Sequence, residues 1–218
     1  MIRDRAISLF IHLYLIFPII VIADENELEI MKGDVVFEDE KKNNTVITVA
    51  HAVVVSDLES IKNVLLDCKK HVEFMPSYEG CDNRYMAPDK IYGSVKIKPP
   101  FTSGIKYYLS TTLKSDNNIY TISWSMDRSK KVKYIKNTYG FWRIKPVAEN
   151  AFIITLFTNT EFDFHWSVNW FLEPIINGLI ENDMPGVLTG VRARIETREK
   201  WKLRDNIPQP LIAKEKGD

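Results

Sequence analysis

The run Thr45 to Val55 (TVITVAHAVVV) is β-branched and predicts a strand. Ser56 or Asp57 then stands where a helix cap belongs, and Ile61, Val64 and Leu65 recur at helical spacing behind it. A second short helix is expected from about Lys69 to Phe74, stopped by Met75-Pro76. Beyond it the pattern changes to period two. Strands are expected at Asp82–Met86, Ile91–Ile97, Ile105–Leu113, Ile119–Met126, Tyr139–Ile144 and Phe152–Glu161. Turn residues separate several of them: Ala87-Pro88-Asp89, Pro99-Pro100, Ser115-Asp116-Asn117-Asn118 and Glu149-Asn150. Hairpin-length connections imply an antiparallel meander. In the clearest strand Tyr120, Ile122, Trp124 and Met126 share one face, while Thr121, Ser123 and Ser125 share the other. One face is therefore buried and one wet.

Helical spacing returns after Trp166. Val168 to Ile180 is apolar nearly all round, interrupted by Pro174 and Gly178. A last helix is expected from Asp183 as N-cap, with Pro185 in the first turn, where a missing N–H is harmless. Met184, Val187, Leu188, Val191 and Ile195 form its apolar stripe; Arg192, Arg194, Glu196, Arg198 and Glu199 take the rest. That stripe needs an apolar partner, and the sheet is the only large one. Residues 24–44 are charged and lack periodicity, and read as a loose arm. The folded domain is placed at 45–203, with residues 204–218 a charged tail.

The N-terminus is a separate object. Met1 to Arg5 carries two arginines and one aspartate, Ala6 to Ile22 is uncharged and apolar, and Val21-Ile22-Ala23 presents small residues at a cleavage position. This predicts a secretory signal over residues 1–23. The apolar run, about 17 residues, lies at the short end for a membrane span; an uncleaved anchor over residues 6–22 is the alternative. Export to the periplasm or medium would put Cys68 and Cys81 in a compartment that permits a disulfide, with two buried thiols as the alternative.

The chain has 218 residues, 45% hydrophobic and 27% charged, enough for one domain with a sizeable core. The formal net charge of +0 argues against a general nucleic-acid binder, which needs a basic excess to displace counterions from phosphate. No P-loop, G-x-S-x-G, HExxH or CxxC motif is present, and no cofactor is implied. His51, His71 and His165 are dispersed, which speaks against a metal site. Asp163 and His165 would point the same way in an extended segment and could orient a base, although caps of the following helix explain them as well. Asn43-Asn44-Thr45 matches a glycosylation sequon by pattern only. The basic run at Arg128, Lys130, Lys131 and Lys133 is either a solvated hairpin or a transient contact for an anionic membrane surface. Tyr92, Tyr107, Trp124, Trp142 and Phe157 fall on successive strands, and Trp170 and Phe171 on the helical part. On the concave side the strand aromatics would either fill a core or line an apolar pocket.

The segments VAHAVVVSDLESIKNVLLD, EFMP with Cys81 just beyond it, GFWRIKP followed by a strand containing Thr155, and the closing DMPGVLTGVRARIE occur in this order. That order resembles the START and polyketide-cyclase superfamily over about residues 45 to 200, as an exported bacterial member. The resemblance implies an α+β helix-grip fold. Seven curved antiparallel strands would wrap a long C-terminal helix, with two short helices after the first strand. In relatives the segment near Lys98-Pro99-Pro100-Phe101 runs on into an arginine-aspartate pair; here Thr102-Ser103-Gly104-Ile105-Lys106 replaces it. Quinone-binding relatives share the fold, but the export signal points away from a respiratory-assembly role inside the cell.

The leading expectation is a carrier or sequestering protein for an apolar small molecule: a lipid, a sterol-like compound or a polyketide. Its cavity would be lined by Tyr92, Tyr107, Trp124, Met126, Trp142 and Phe157 from the sheet, and closed by Leu188 and Val191 from the helix. A cyclase or dehydratase using a tyrosine or His165 in the same cavity is the enzymatic alternative. A packed interaction module with no ligand is the third.

Overall fold

The computed structural model describes residues 35–42, 44–98, 104–163 and 184–196. The expected signal at 1–23, the Pro99-Pro100 turn, His165, the 168–180 helix with Trp170 and Phe171, the Asp183 cap and the tail lie outside the described residues.

The strands are β1 (Val36–Lys42), β2 (Thr45–Val55), β3 (Tyr78–Ala87), β4 (Lys90–Ile97), β5 (Ile105–Asp116), β6 (Ile119–Met126), β7 (Ile135–Ala148) and β8 (Ala151–Phe162). They form one eight-stranded sheet in the order β1-β2-β8-β7-β6-β5-β4-β3, every pairing antiparallel. Helix α1 (Leu58–Leu66) and a 3-10 helix (Cys68–Glu73) follow β2, and α2 (Met184–Ile195) comes last.

Seven of these strands match the expected ones, but the sheet has eight. The additional strand, β1, occupies part of the segment read as a loose arm. Its residues Glu38, Asp39, Glu40, Lys41 and Lys42 carry charge, so no apolar alternation marks it. It is held by backbone pairing to β2, with Lys42 opposite Thr45; Phe37 packs on the main core and Val36 on the small Val53–Ile153 cluster. Charged side chains are also what an edge strand needs to discourage further pairing.

Asp57 caps α1: its carboxylate accepts from Ser60 N at 2.8 Å and from Ser60 Oγ at 2.7 Å. Ile61 and Leu65 then face inward. Helix α2 lays Leu188, Val191 and Ile195 against α1 and against the inner face of β2, β8, β7 and β6, where Ala50, Ala52, Val54, Ile154, Ile144 and Ile122 complete the main core. Leu188 and Val191 are wholly buried. Its Gly186 and Gly190 let it approach closely: a Cβ on Gly190 would collide with the Phe74 backbone, and one on Gly186 would meet Pro76.

The polar face expected for α2 is partly wrong. Arg192 and Glu196 are buried. Glu196 Oε1 accepts from Val55 N at 3.0 Å, and Arg192 Nε lies 3.4 Å from Glu196 Oε2. The pair ties the end of α2 to the end of β2, a need that helical periodicity cannot reveal.

Candidate functional site

The inner face of the sheet changes character along its strands. Under α2 the small residues Ala50 and Ala52 of β2 admit the helix closely. Towards the other end β2 offers Val46 and Thr48, β8 offers Thr158 and Thr160, and β7 offers Thr138. These short side chains do not reach the opposite wall, and a cavity of about 340 Å³ remains. That lies at the lower end of the roughly 300–1,000 Å³ usual for small-molecule pockets. Thr138 and Thr160, cross-strand partners, bring their hydroxyls 2.9 Å apart. The polarity of these two threonines is thus met within the wall.

The facing wall is the segment from Cys68 to Tyr78, contributing Cys68, His71, Met75, Pro76, Ser77 and Tyr78. Cys68 is disulfide-bonded to Cys81 on β3, with Cα atoms 6.0 Å apart. The bridge therefore closes the loop that carries this wall. Within it, His71 Nε2 donates to the Val64 carbonyl at 3.1 Å, and the ring meets Phe74 and Tyr78 edge-on. Burial holds the His71 imidazole below its ordinary value of 6.5, so it is neutral near pH 7. Burial also pushes the Tyr107 phenol up to about 12, and raises Tyr78 with a further contribution from Tyr107. No Asp, Glu, Lys or Arg lines the cavity among the described residues. Among those same residues, no group of three or more His, Cys, Asp or Glu side chains is placed to hold a metal ion.

No family model matches the sequence. The search of curated proteins finds no match either. Solved structures do resemble it. The Zhui aromatase/cyclase from Streptomyces sp. R1128 aligns with a TM-score of 0.59 and 10% identity, over 71% of this chain and 96% of that one. A STAR-related lipid transfer protein from Xanthomonas axonopodis gives 0.55 and 12%, over 74% and 99%. Human STARD10 gives 0.51 and 10%, over 89% and 86%. The fold is START-like.

Within this START-like fold the expected cavity residues separate into groups. Tyr107, Trp124 and Trp142 line the cavity. Trp124 sits opposite Gly140 on β7, and a Cβ there would lie 2.6 Å from the indole, so the glycine makes room for the ring. Met126 is on the inner face but packs with Ile105, Val132 and Ile135 in a satellite cluster at the sheet's end. Leu188 and Val191 belong to the solid core, and among the described side chains of α2 it is Val187 that reaches the cavity.

Tyr92 and Phe157 are corrected outright. Ile91, Val95 and Ile97 take the inner face of β4, so Tyr92 points outward, where its hydroxyl donates to Asp127 at 2.7 Å and its ring stacks on Tyr108. On β8 the threonines face the cavity, and Phe157 stacks outside on Phe141 with ring centroids 5.1 Å apart. Placing Phe157 inside inverts the true phase of β8. His51 is outside too, its Nδ1 2.9 Å from Thr155 Oγ1. Arg128, Lys130, Lys131 and Lys133 are exposed on the β6–β7 connection, which Val132 pins to the satellite cluster. Sequence reasoning missed the whole 68–78 wall except for its cysteine; only the spacing of Cys68 and Cys81 hinted that this segment folds back on the sheet.

Proposed function

We propose that the protein binds one apolar small molecule in the cavity between the sheet and the 68–78 wall, and carries or sequesters it outside the cytoplasm. The observation that carries this is the hollow itself: a space of about 340 Å³, lined mainly by aliphatic and aromatic side chains, at the inner face of a START-like sheet. Solved proteins of the same fold include the STAR-related lipid transfer protein from Xanthomonas axonopodis, which accords with an apolar cargo. Export is supported by the apolar stretch at residues 6–22 and by the Cys68–Cys81 bridge, which suits an oxidising compartment. The exposed basic residues Arg128, Lys130, Lys131 and Lys133 would add about 1 kcal/mol each at an anionic membrane surface during loading or release.

Binding is favoured over catalysis by the chemistry of the lining. It offers no carboxylate, lysine or arginine among the described residues, and the Nε2 of its one histidine is committed to a backbone carbonyl. Native mass spectrometry of the purified protein, followed by organic extraction, tests the proposal. A co-purifying apolar compound at one per chain is expected. A protein that is ligand-free and takes up no apolar compound offered to it would refute it.

A further inference from the structure

Among the described residues of the cavity wall, one side-chain oxygen is buried and has no hydrogen-bond partner: the Tyr78 hydroxyl. Buried hydroxyls are nearly always paired, and a phenylalanine would supply the same ring without the penalty. The backbone around Tyr78 is distorted to place it there. Ser77 adopts φ 55°, a left-handed conformation that non-glycine residues seldom take, and its carbonyl accepts from Lys98 N at 2.7 Å. A bulge then separates Tyr78 from Gly80. In an uninterrupted strand Tyr78 and Cys81, three residues apart, would face opposite sides. The bulge sets Tyr78 opposite Ile97 and Cys81 opposite Val95, both inner-face positions. Tyr107, paired with the same Val95 from β5, stands next to them.

Resting on the binding function above, we propose that Tyr78, with Tyr107 beside it, is the polar anchor of the cavity, and that the ligand is an uncharged amphiphile presenting a ketone, ester or hydroxyl oxygen to it. A carboxylate or phosphate would bring a negative charge into a lining with no cationic side chain among the described residues. An ammonium group would find no carboxylate there, and both phenols stay protonated far above neutral pH. A neutral oxygen accepting from one phenol, or donating to it, meets the unpaired group without burying charge.

The test uses displacement of the neutral dye Nile red from the full-length protein by chain-matched decane, decan-2-one and decanoate at pH 7.5. Decan-2-one should displace at about tenfold lower concentration than decanoate, and at lower concentration than decane. Tyr78→Phe should weaken the ketone about five- to tenfold, the effect of one lost hydrogen bond, and leave decane within twofold. Its unfolding midpoint should be no lower than that of the wild type, because the lost hydroxyl had no partner. If Nile red binds but ketone, alkane and carboxylate compete alike in the wild type, or Tyr78→Phe leaves the ketone unchanged, the anchor is refuted while the apolar cavity stands. Preference for decanoate would overturn the ligand class, and a Tyr78→Phe protein that unfolds would reveal a structural partner for the hydroxyl. Absence of any Nile red binding would sink the binding function and the anchor together.

Discussion

The two ends of one sheet face are built differently. Under α2, the alanines of β2 allow helix and sheet to meet, and Leu188, Val191 and Ile195 pack into the main core. Beyond α2, threonines on β2, β7 and β8 face a wall that is a disulfide-closed loop, and space is left over. The same strands pass through both regions. The difference lies in what stands opposite: a helix with an apolar stripe closes the first, whereas among the described residues a 3-10 helix and a turn roof the second. Stability and, on the proposed function, binding thereby draw mainly on different halves of a single face, with Ile122, Trp142 and Leu156 shared between them, and substitutions at residues confined to one half should have separable consequences.

The largest effect is expected in the solid half. Leu188→Ala should cost about 2–5 kcal/mol in chemical denaturation, the range for truncating a buried leucine, while apolar-dye affinity per folded molecule stays unchanged. A comparable loss of dye affinity would show that the two halves are not independent. Next comes the staple. Replacing Cys68 and Cys81 with serine should remove about 3 kcal/mol through the unfolded state, and should also weaken dye binding, because the loop it closes is the cavity wall. Trp124→Ala, in the hollow half, should cost less than the roughly 3–5 kcal/mol typical of aromatic truncation in a packed core, yet reduce dye affinity. Outright unfolding of that mutant would place Trp124 in the solid half instead.

The smallest effect is alkaline. The Tyr107 phenol is raised in the folded state from 10.0 to about 12. Its contribution is therefore complete below the unfolded value and is lost as pH rises through the folded one. The thermal midpoint should fall between pH 10 and 12, and fall less in Tyr107→Phe. Equal alkaline loss in both proteins would mean that Tyr107 is not enclosed.

Much of this architecture is legible in the sequence, for physical reasons that differ by element. β6 is legible because Ile122 and Trp124 alternate with serines across a face that is truly two-sided. α1 is legible because a capping aspartate precedes a helical stripe. β1 is not, since an edge strand with charged side chains is held by backbone bonds that leave no trace in hydropathy. The phase of β8 fails for a related reason. Ile153 and Ile154 make both faces apolar at its start, and the inner face then turns to threonine because it borders a cavity rather than a core. At this end of β8 the rule that the more apolar residue points inward fails, and pattern reading goes astray there. Tyr78 lies beyond any such rule, since a bulge sets its direction.

Filling the hollow tests the account most directly. Thr158 lies on the cavity face of β8, across from Gly140 on β7. In Thr158→Leu the added carbons should enter empty space. The ligand-free protein is expected to be as stable as the wild type or up to about 1 kcal/mol more so, with Nile red affinity reduced at least tenfold. If the substitution instead costs the roughly 1–3 kcal/mol of an overpacked core and leaves dye affinity untouched, the space is already filled and the cavity is not the binding site.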